Sequence, residues 1–260
     1  MSKTILVTGA TDGIGLLTAR KLATAGHTVL LHGRSDTKLA AAAAEVGGNA
    51  QTYRADLSVM GDVVAMADAV LADHGHLDAL INNAGILKTP MAETEAGRDI
   101  RFDVNTIAPY ILTQKLLPII AADGRVVNLS SAAQAPVDVS AMEQYRAMGD
   151  MDAYAQSKLA ITIWTAEMAK AMPDGPVFVA VNPGSLLASK MVKEGFGIAG
   201  NDLSIGADIL VRAATSPEFA DASGRYFDND SGRFAAPHAA AANPDQVSAV
   251  MRALSSITGF

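Results

Sequence analysis

Short runs of β-branched and leucine residues alternate along the chain with longer, alanine-rich stretches whose apolar positions recur at helical spacing. A run of that length suits a strand buried on both faces, and an intervening helix is what returns the chain for a parallel neighbour. The runs predict strands near Thr4 to Thr8, Thr28 to His32, Ala50 to Arg54, Ala79 to Asn82, Arg125 to Leu129 and Val177 to Val181, with a weaker one near Tyr226. The stretch from Ile100 to Ile120 predicts one or two long helices, and Asp152 to Ala171 another, stopped by Pro173 and Gly175. The fold class that follows is α/β, a doubly wound parallel sheet of about seven strands with helices on both faces.

Composition narrows this picture. A chain of 260 residues, 50% of them hydrophobic, supports one sizeable core better than two, so residues 1–260 are read as a single domain. The formal net charge is -7 and Lys and Arg are scattered, which argues against nucleic acid as a partner. With no Cys, disulfides, thiolate nucleophiles and cysteine metal sites are excluded together. The most apolar window, Ala108 to Ala122, is interrupted by Gln114, Lys115 and Pro118, so no membrane span is expected. The run Thr4 to Thr8 ends in Gly9 rather than extending into a signal core, and a cytoplasmic location is expected. His74 and His76 do not share a helix face, and His27, His32 and His238 have no ligand set nearby, so no metal is expected. Asp228 to Gly232 reads as a turn between strands, because Gly232 and Ala239 stand where a calcium loop needs ligands.

Candidate chemistry begins where the first strand ends, at Thr8-Gly9-Ala10-Thr11-Asp12-Gly13-Ile14-Gly15, directly ahead of a helix bearing Leu16, Ala19 and Leu22. Glycines there allow a sharp turn and let a diphosphate approach without Cβ atoms in the way, while the helix N-terminus offers N–H groups to the anion. The plain alternative is a glycine-rich connector, but strand before and helix after favour a dinucleotide site on a Rossmann domain. The second strand ends in Gly33-Arg34, where an acid would bind a ribose 2′-hydroxyl and an arginine a 2′-phosphate. Arg34 therefore favours NADP, with NAD possible, against the alternative of a solvated charge near Asp36. Tyr154 and Lys158 are four apart on a helix and share a face, where an ammonium can stabilise a phenolate. Tyr53, Tyr110, Tyr145 and Tyr226 have Leu57, Gln114, Gly149 and Asp230 at that offset, so Tyr154 alone qualifies.

Together these residues resemble the short-chain dehydrogenase/reductase family from about Lys3 to Tyr226. The glycine turn, Asp56-Leu57, Asn82-Asn83-Ala84-Gly85, Asn105, Ser130-Ser131, Tyr154 with Lys158, and Pro183-Gly184 occur in the family's order. The resemblance implies an oxidoreductase that moves a hydride between a nicotinamide cofactor and a carbonyl or alcohol. It assigns cofactor contacts to Gly9, Thr11, Asp12, Gly13, Ile14, Gly15, Arg34, Asp56, Leu57, Asn83, Ala84, Gly85, Tyr154, Lys158, Pro183 and Gly184. Tyr154 becomes the proton donor, and Lys158 the holder of the nicotinamide ribose that lowers the tyrosine pKa. Ser131 binds the substrate oxygen, and Asn105 supports a water-linked relay. A homodimer or homotetramer is likewise implied.

Two departures stand out. The interval from Ser131 to Tyr154 is longer than in the commonest members, resembling the retinol dehydrogenase and protochlorophyllide reductase branch, whose substrates are large and apolar. The added segment, near 134–150, is expected beside the substrate, with Met142 to Met151 either lining an apolar pocket or packing in the core. After Pro183-Gly184 the family's threonine position falls on Ala188, with a hydroxyl only at Ser189, and the glycine-rich stretch 185–201 is expected to form a second substrate-side segment, a lid over an apolar substrate. A non-catalytic dinucleotide sensor and a sugar-nucleotide epimerase or dehydratase are the alternative functions.

Overall fold

The computed structural model describes residues 2–189, 191, 193, 197 and 199–260. Eight strands form one sheet in the order β3-β2-β1-β4-β5-β6-β7-β8. They are β1 (Thr4–Val7), β2 (Thr28–Gly33), β3 (Gln51–Arg54), β4 (Leu77–Asn82), β5 (Ile120–Leu129), β6 (Val177–Asn182), β7 (Tyr226–Asp228) and β8 (Arg233–Ala235). The first seven run parallel, as expected, and the eighth is an addition: β8 folds back antiparallel on β7, pairing Asp228 with Arg233 across the Asn229 to Gly232 turn. Only three residues long, it carries too little pattern to register in the sequence.

Alternation along each strand builds a core on each face, because successive side chains point oppositely. In β1, Ile5 and Val7 enter one cluster with Val29, Leu31, Val127 and Val179, covered by α1 (Gly13–Thr24), α2 (Asp36–Val46) and α8 (Leu203–Thr215). Leu6 enters the other with Leu30, Leu80, Val126 and Phe178. That face is covered by α3 (Met60–Asp73), α5 (Ala108–Leu116), α7 (Asp150–Ala171) and α9 (Pro244–Thr258). Each fully buried Leu, Ile or Val contributes roughly 1.5–3 kcal/mol.

Between Ile100 and Ile120 the helix is not uniform. A short α4 (Ile100–Phe102) opens into a π turn (Asp103–Ile107) before α5 resumes. Pro109 has no N–H to give the Asn105 carbonyl four residues back, so the ordinary ladder cannot run through this stretch. The added segment folds into α6 (Val139–Glu143) and lies against α9 and α7: Gln246 bonds both the N–H and carbonyl of Val137, and Gln156 Oε1 accepts from Asp138 N. Met142 is fully buried in the core and Met148 packs against it, so of the two readings these methionines follow core packing and not the lining of an apolar pocket. Met151 is exposed.

Candidate active site

The C-terminal ends of β1 to β6 meet along one edge of the sheet, and the sequence-predicted residues gather there. Gly9 turns the chain at φ +66°, and a Cβ on Gly15 would lie 2.2 Å from the Gly9 carbonyl, so this cradle admits only glycine. Asn83 holds it from the β4 side, its Nδ2 donating to the carbonyls of Thr8 (2.8 Å) and Gly9 (3.3 Å). Ala84 N donates to Thr8 Oγ1. Asp12 caps α1, its carboxylate accepting from Gly13 N at 2.7 Å. Ile14 packs against the face-one core, beside Gly206 of α8.

At the neighbouring corner a Cβ on Gly33 would sit 2.5 Å from Thr11 Cγ2, so a side chain there would require Thr11 to shift. The Arg34 guanidinium, 68% exposed, stands 3.9 Å from the Asp56 carboxylate. Asp36, the neighbour expected to compete for Arg34, instead faces Arg54 at 3.6 Å. Asp56 also accepts from Ser58 N and Oγ, and Leu57 is buried beneath it. The sequence reading passed over His32 here: its Nδ1 accepts from Gly9 N.

The catalytic candidates converge on α7. Ser130 is turned inward, its hydroxyl bonded to Thr162 Oγ1 (2.6 Å) and Lys158 O, whereas the Ser131 side chain acts on the Tyr154 hydroxyl and favours its charged form. Lys158 Nζ donates to Leu129 O at 2.7 Å and lies 5.5 Å from the Tyr154 ring centre. Tyr154 is half-buried, and desolvation raises its pKa while Ser131 opposes that rise. Desolvation lowers Lys158 from 10.5 to about 7, the ammonium being buried with no carboxylate beside it among the described residues. Asn105, expected to support a water-linked relay, has its side chain engaged as a brace. Its Oδ1 accepts from Ile86 N, and its Nδ2 donates to Ile86 O and Ser157 Oγ, tying the Asn83 to Gly85 segment to α7. A Cβ on Gly85 would come 3.3 Å from Asn105 Oδ1 and 3.4 Å from Lys158 Nζ, so the glycine keeps this junction open.

Beyond β6, Asn229 Nδ2 donates to Pro183 O, and Asp230 accepts from Ser185 N and Oγ. Asn182 bonds Asp228 and Asp230, so the β7–β8 turn braces the Pro183-Gly184 loop. Sequence reading found that turn but not its role, because its partners lie some 45 residues away. Tyr226 donates its hydroxyl to Ser131 O, and Gln134 Nε2 donates to the same carbonyl. Beside them opens a depression of about 340 Å³ whose polar walls are Gln134, Tyr226, Asp228, Asp230 and His238. Of the proposed lid, Leu187 bridges Asn201 at its base, Ala188 is exposed and Ser189 N bonds Leu187 O, while Lys190, Val192, Glu194, Gly195, Phe196 and Ile198 lie outside the described residues. Among the described residues no helix is long and apolar enough to cross a membrane.

Comparison with known proteins agrees with this geometry. The short chain dehydrogenase family model matches residues 3–196. Retinol dehydrogenase 13 of Homo sapiens is 32% identical over 264 residues, covering 91% of this chain and 79% of the relative. The crystal structure of an uncharacterized protein from Mycobacterium paratuberculosis superposes with a TM-score of 0.82 at 28% identity, over 99% of this chain and 93% of that one. Landomycin C-6 ketoreductase LanV, solved with bound NADP and rabelomycin, gives a TM-score of 0.70 at 28% identity over 88% and 95% of the two chains. With an order of motifs, a sheet and a match that all coincide, the chain belongs to the short chain dehydrogenase family and is a nicotinamide-dependent oxidoreductase of CH–OH and C=O groups.

Proposed function

We propose that this protein is an NADP-preferring carbonyl reductase or alcohol dehydrogenase in which Tyr154, Ser131 and Lys158 perform the proton chemistry. The observation that carries the reading is the pairing of Tyr154 and Lys158 on one face of α7, with Lys158 Nζ 5.5 Å from the tyrosine ring centre and Ser131 acting on the same hydroxyl. The glycine cradle, closed to any Cβ at Gly15, fits a dinucleotide diphosphate at the start of α1. When bound there, the nicotinamide supplies the hydride that a carbonyl carbon receives in reduction.

The chain's own residues manage the oxygen. As the C=O π bond opens, the oxygen gains negative charge, and donors already aimed at it are worth more than donors that must turn. Ser131 Oγ–H provides one such donor. Tyr154 gives its proton to the same oxygen, completing the alcohol, and Lys158 offsets the phenolate left behind; in oxidation each transfer reverses. A tyrosine raised by burial is a proton donor in its resting form, which suits the reductive direction.

Two features support NADP over NAD. Position 33 holds a glycine in place of an acid, and Arg34 is exposed and only loosely engaged by Asp56. Arg34→Ala should raise the NADPH Kd about tenfold or more with NADH little changed, a charge-assisted phosphate contact being worth roughly 1.5–3 kcal/mol. Equal weakening of both would remove Arg34 from that role.

For the substrate, the likeness to retinol dehydrogenases supports a large apolar alcohol or aldehyde. The polar depression beside Ser131 favours a second reading, a large ring ketone bearing several oxygens. Purified protein assayed with NADPH and NADH against retinal, polycyclic polyketones and small aldehydes separates them by kcat/KM. No turnover on any carbonyl or alcohol would defeat both.

A further inference from the structure

His32, at the end of β2, is a buried titratable side chain that the proposed chemistry leaves without a part. It is 2% exposed. Its ring is bonded on both sides: Nδ1 accepts from Gly9 N at 3.1 Å, and Nε2 stands 3.1 Å from the carbonyl of Ala55. A carbonyl only accepts, so Nε2 carries the hydrogen and Nδ1 is the bare nitrogen. The backbone of the same residue accepts from Ala10 N at 2.9 Å. Gly9 opens the glycine turn after β1, and Ala55 immediately precedes Asp56 and Leu57 after β3.

We propose that His32 is a positioning residue for cofactor binding, a single imidazole that sets the glycine turn and the Asp56-Leu57 corner at the separation an adenine dinucleotide requires. This rests on the reading that those two places hold the dinucleotide. Asn83 grips the Gly9 carbonyl from β4 and His32 grips the Gly9 N–H from β2, so the turn is held from both sides in its φ +66° conformation. Loss of the acceptor leaves the partly buried Gly9 N–H without this partner, free to regain one by re-orienting the peptide that the diphosphate must meet. Asp56 and Arg34 are the charged groups that act on the ring, in opposite senses, and burial holds its pKa down at about 4. The neutral form therefore persists at physiological pH.

Two amides divide the imidazole's functions. His32→Asn places an amide oxygen near the position of Nδ1 and keeps an acceptor for Gly9. His32→Gln reaches toward the position of Nε2 and keeps a donor for Ala55, while losing the acceptor. Titration with NADPH should show the Gln variant weakened about tenfold, the Asn variant within about threefold of wild type, and kcat at saturating NADPH close to wild type in both. A residue that only stabilises the fold would shift Tm in both variants without dividing them in Kd. Equal Kd values for the two, or a fall in kcat at unchanged Kd, would overturn the proposal while leaving the cofactor site intact. A wild-type protein that binds neither NADPH nor NADH would instead overturn the site itself. Independently of any variant's folding, nitrogen NMR of the wild type should show His32 as the Nε2–H tautomer throughout pH 6 to 8, and an Nδ1–H or doubly protonated ring would refute the arrangement.

Discussion

At the scale of single residues, the site depends on what burial does to ionisable groups. Tyr154→Phe removes one hydroxyl from a half-buried ring, so folding and NADPH binding should persist while kcat falls more than tenfold; retention of a tenth of the turnover would contradict its assignment as proton donor. Lys158 gives a pH signature. Its folded pKa of about 7 lies below the 10.5 of an exposed lysine, so the unfolded chain binds the proton more tightly. The resulting penalty is full below pH 7, shrinks as pH rises through 7, and is gone above 10.5. Urea unfolding should therefore show wild-type stability rising, relative to Lys158→Met, between pH 7 and 9.5. A constant difference would mean the lysine is not desolvated in solution. The Tyr154 and Lys158 pair was legible in the sequence because a spacing of four on a helix is a local property. Which serine faces it was read from family order alone, and the hydrogen bonds of Ser130 to Thr162 and Lys158 supply the physical reason.

At the scale of elements, α7 carries Tyr154 and Lys158 and is held at its start by an ion network around a buried arginine. Arg101, 1% exposed, spans Asp99 at the cap of α4 and Asp150 in the first turn of α7, one turn ahead of Tyr154. Asp150 is partly exposed, so its loss is screened, and Asp150→Ala should cost about 1–2 kcal/mol. For a chain of this size that lowers Tm by roughly 2–8 °C. Because the helix start also orients Tyr154, kcat should drop severalfold with the NADPH Kd unchanged, which melting curves and steady-state kinetics would establish together. A lowered Tm with normal kcat would confine the pair to stability. None of this network was visible beforehand: the charges involved are 2 and 49 residues apart, and only packing decides that Arg101 points inward. The π turn had a local sign in Pro109, yet the bonds of Asn105 and Thr106 to Ser157 that hold it are tertiary.

At the scale of the whole molecule, two cores share one sheet, and α9 closes the face over α7. Such an arrangement should unfold as one unit. Trp164, the single tryptophan, is fully buried in an edge-to-face pair with Tyr110 and reports on that face, while far-UV dichroism reports on all helices. Their urea transitions should coincide, and separated midpoints would break the single-domain reading. The sequence by itself determined the α/β alternation, the parallel sheet, the glycine cradle and the helix that pairs Tyr154 with Lys158, because strand and helix periodicity, glycine's lack of a Cβ and a spacing of four are all properties of neighbouring residues. Tertiary structure alone decided the rest: β8, the burial of Met142, the brace formed by Asn105, the neutral His32 between two strands and the depressed lysine. Each of these depends on which distant groups come within a hydrogen bond, or on how far water is excluded, and neither quantity is written in any local stretch of chain.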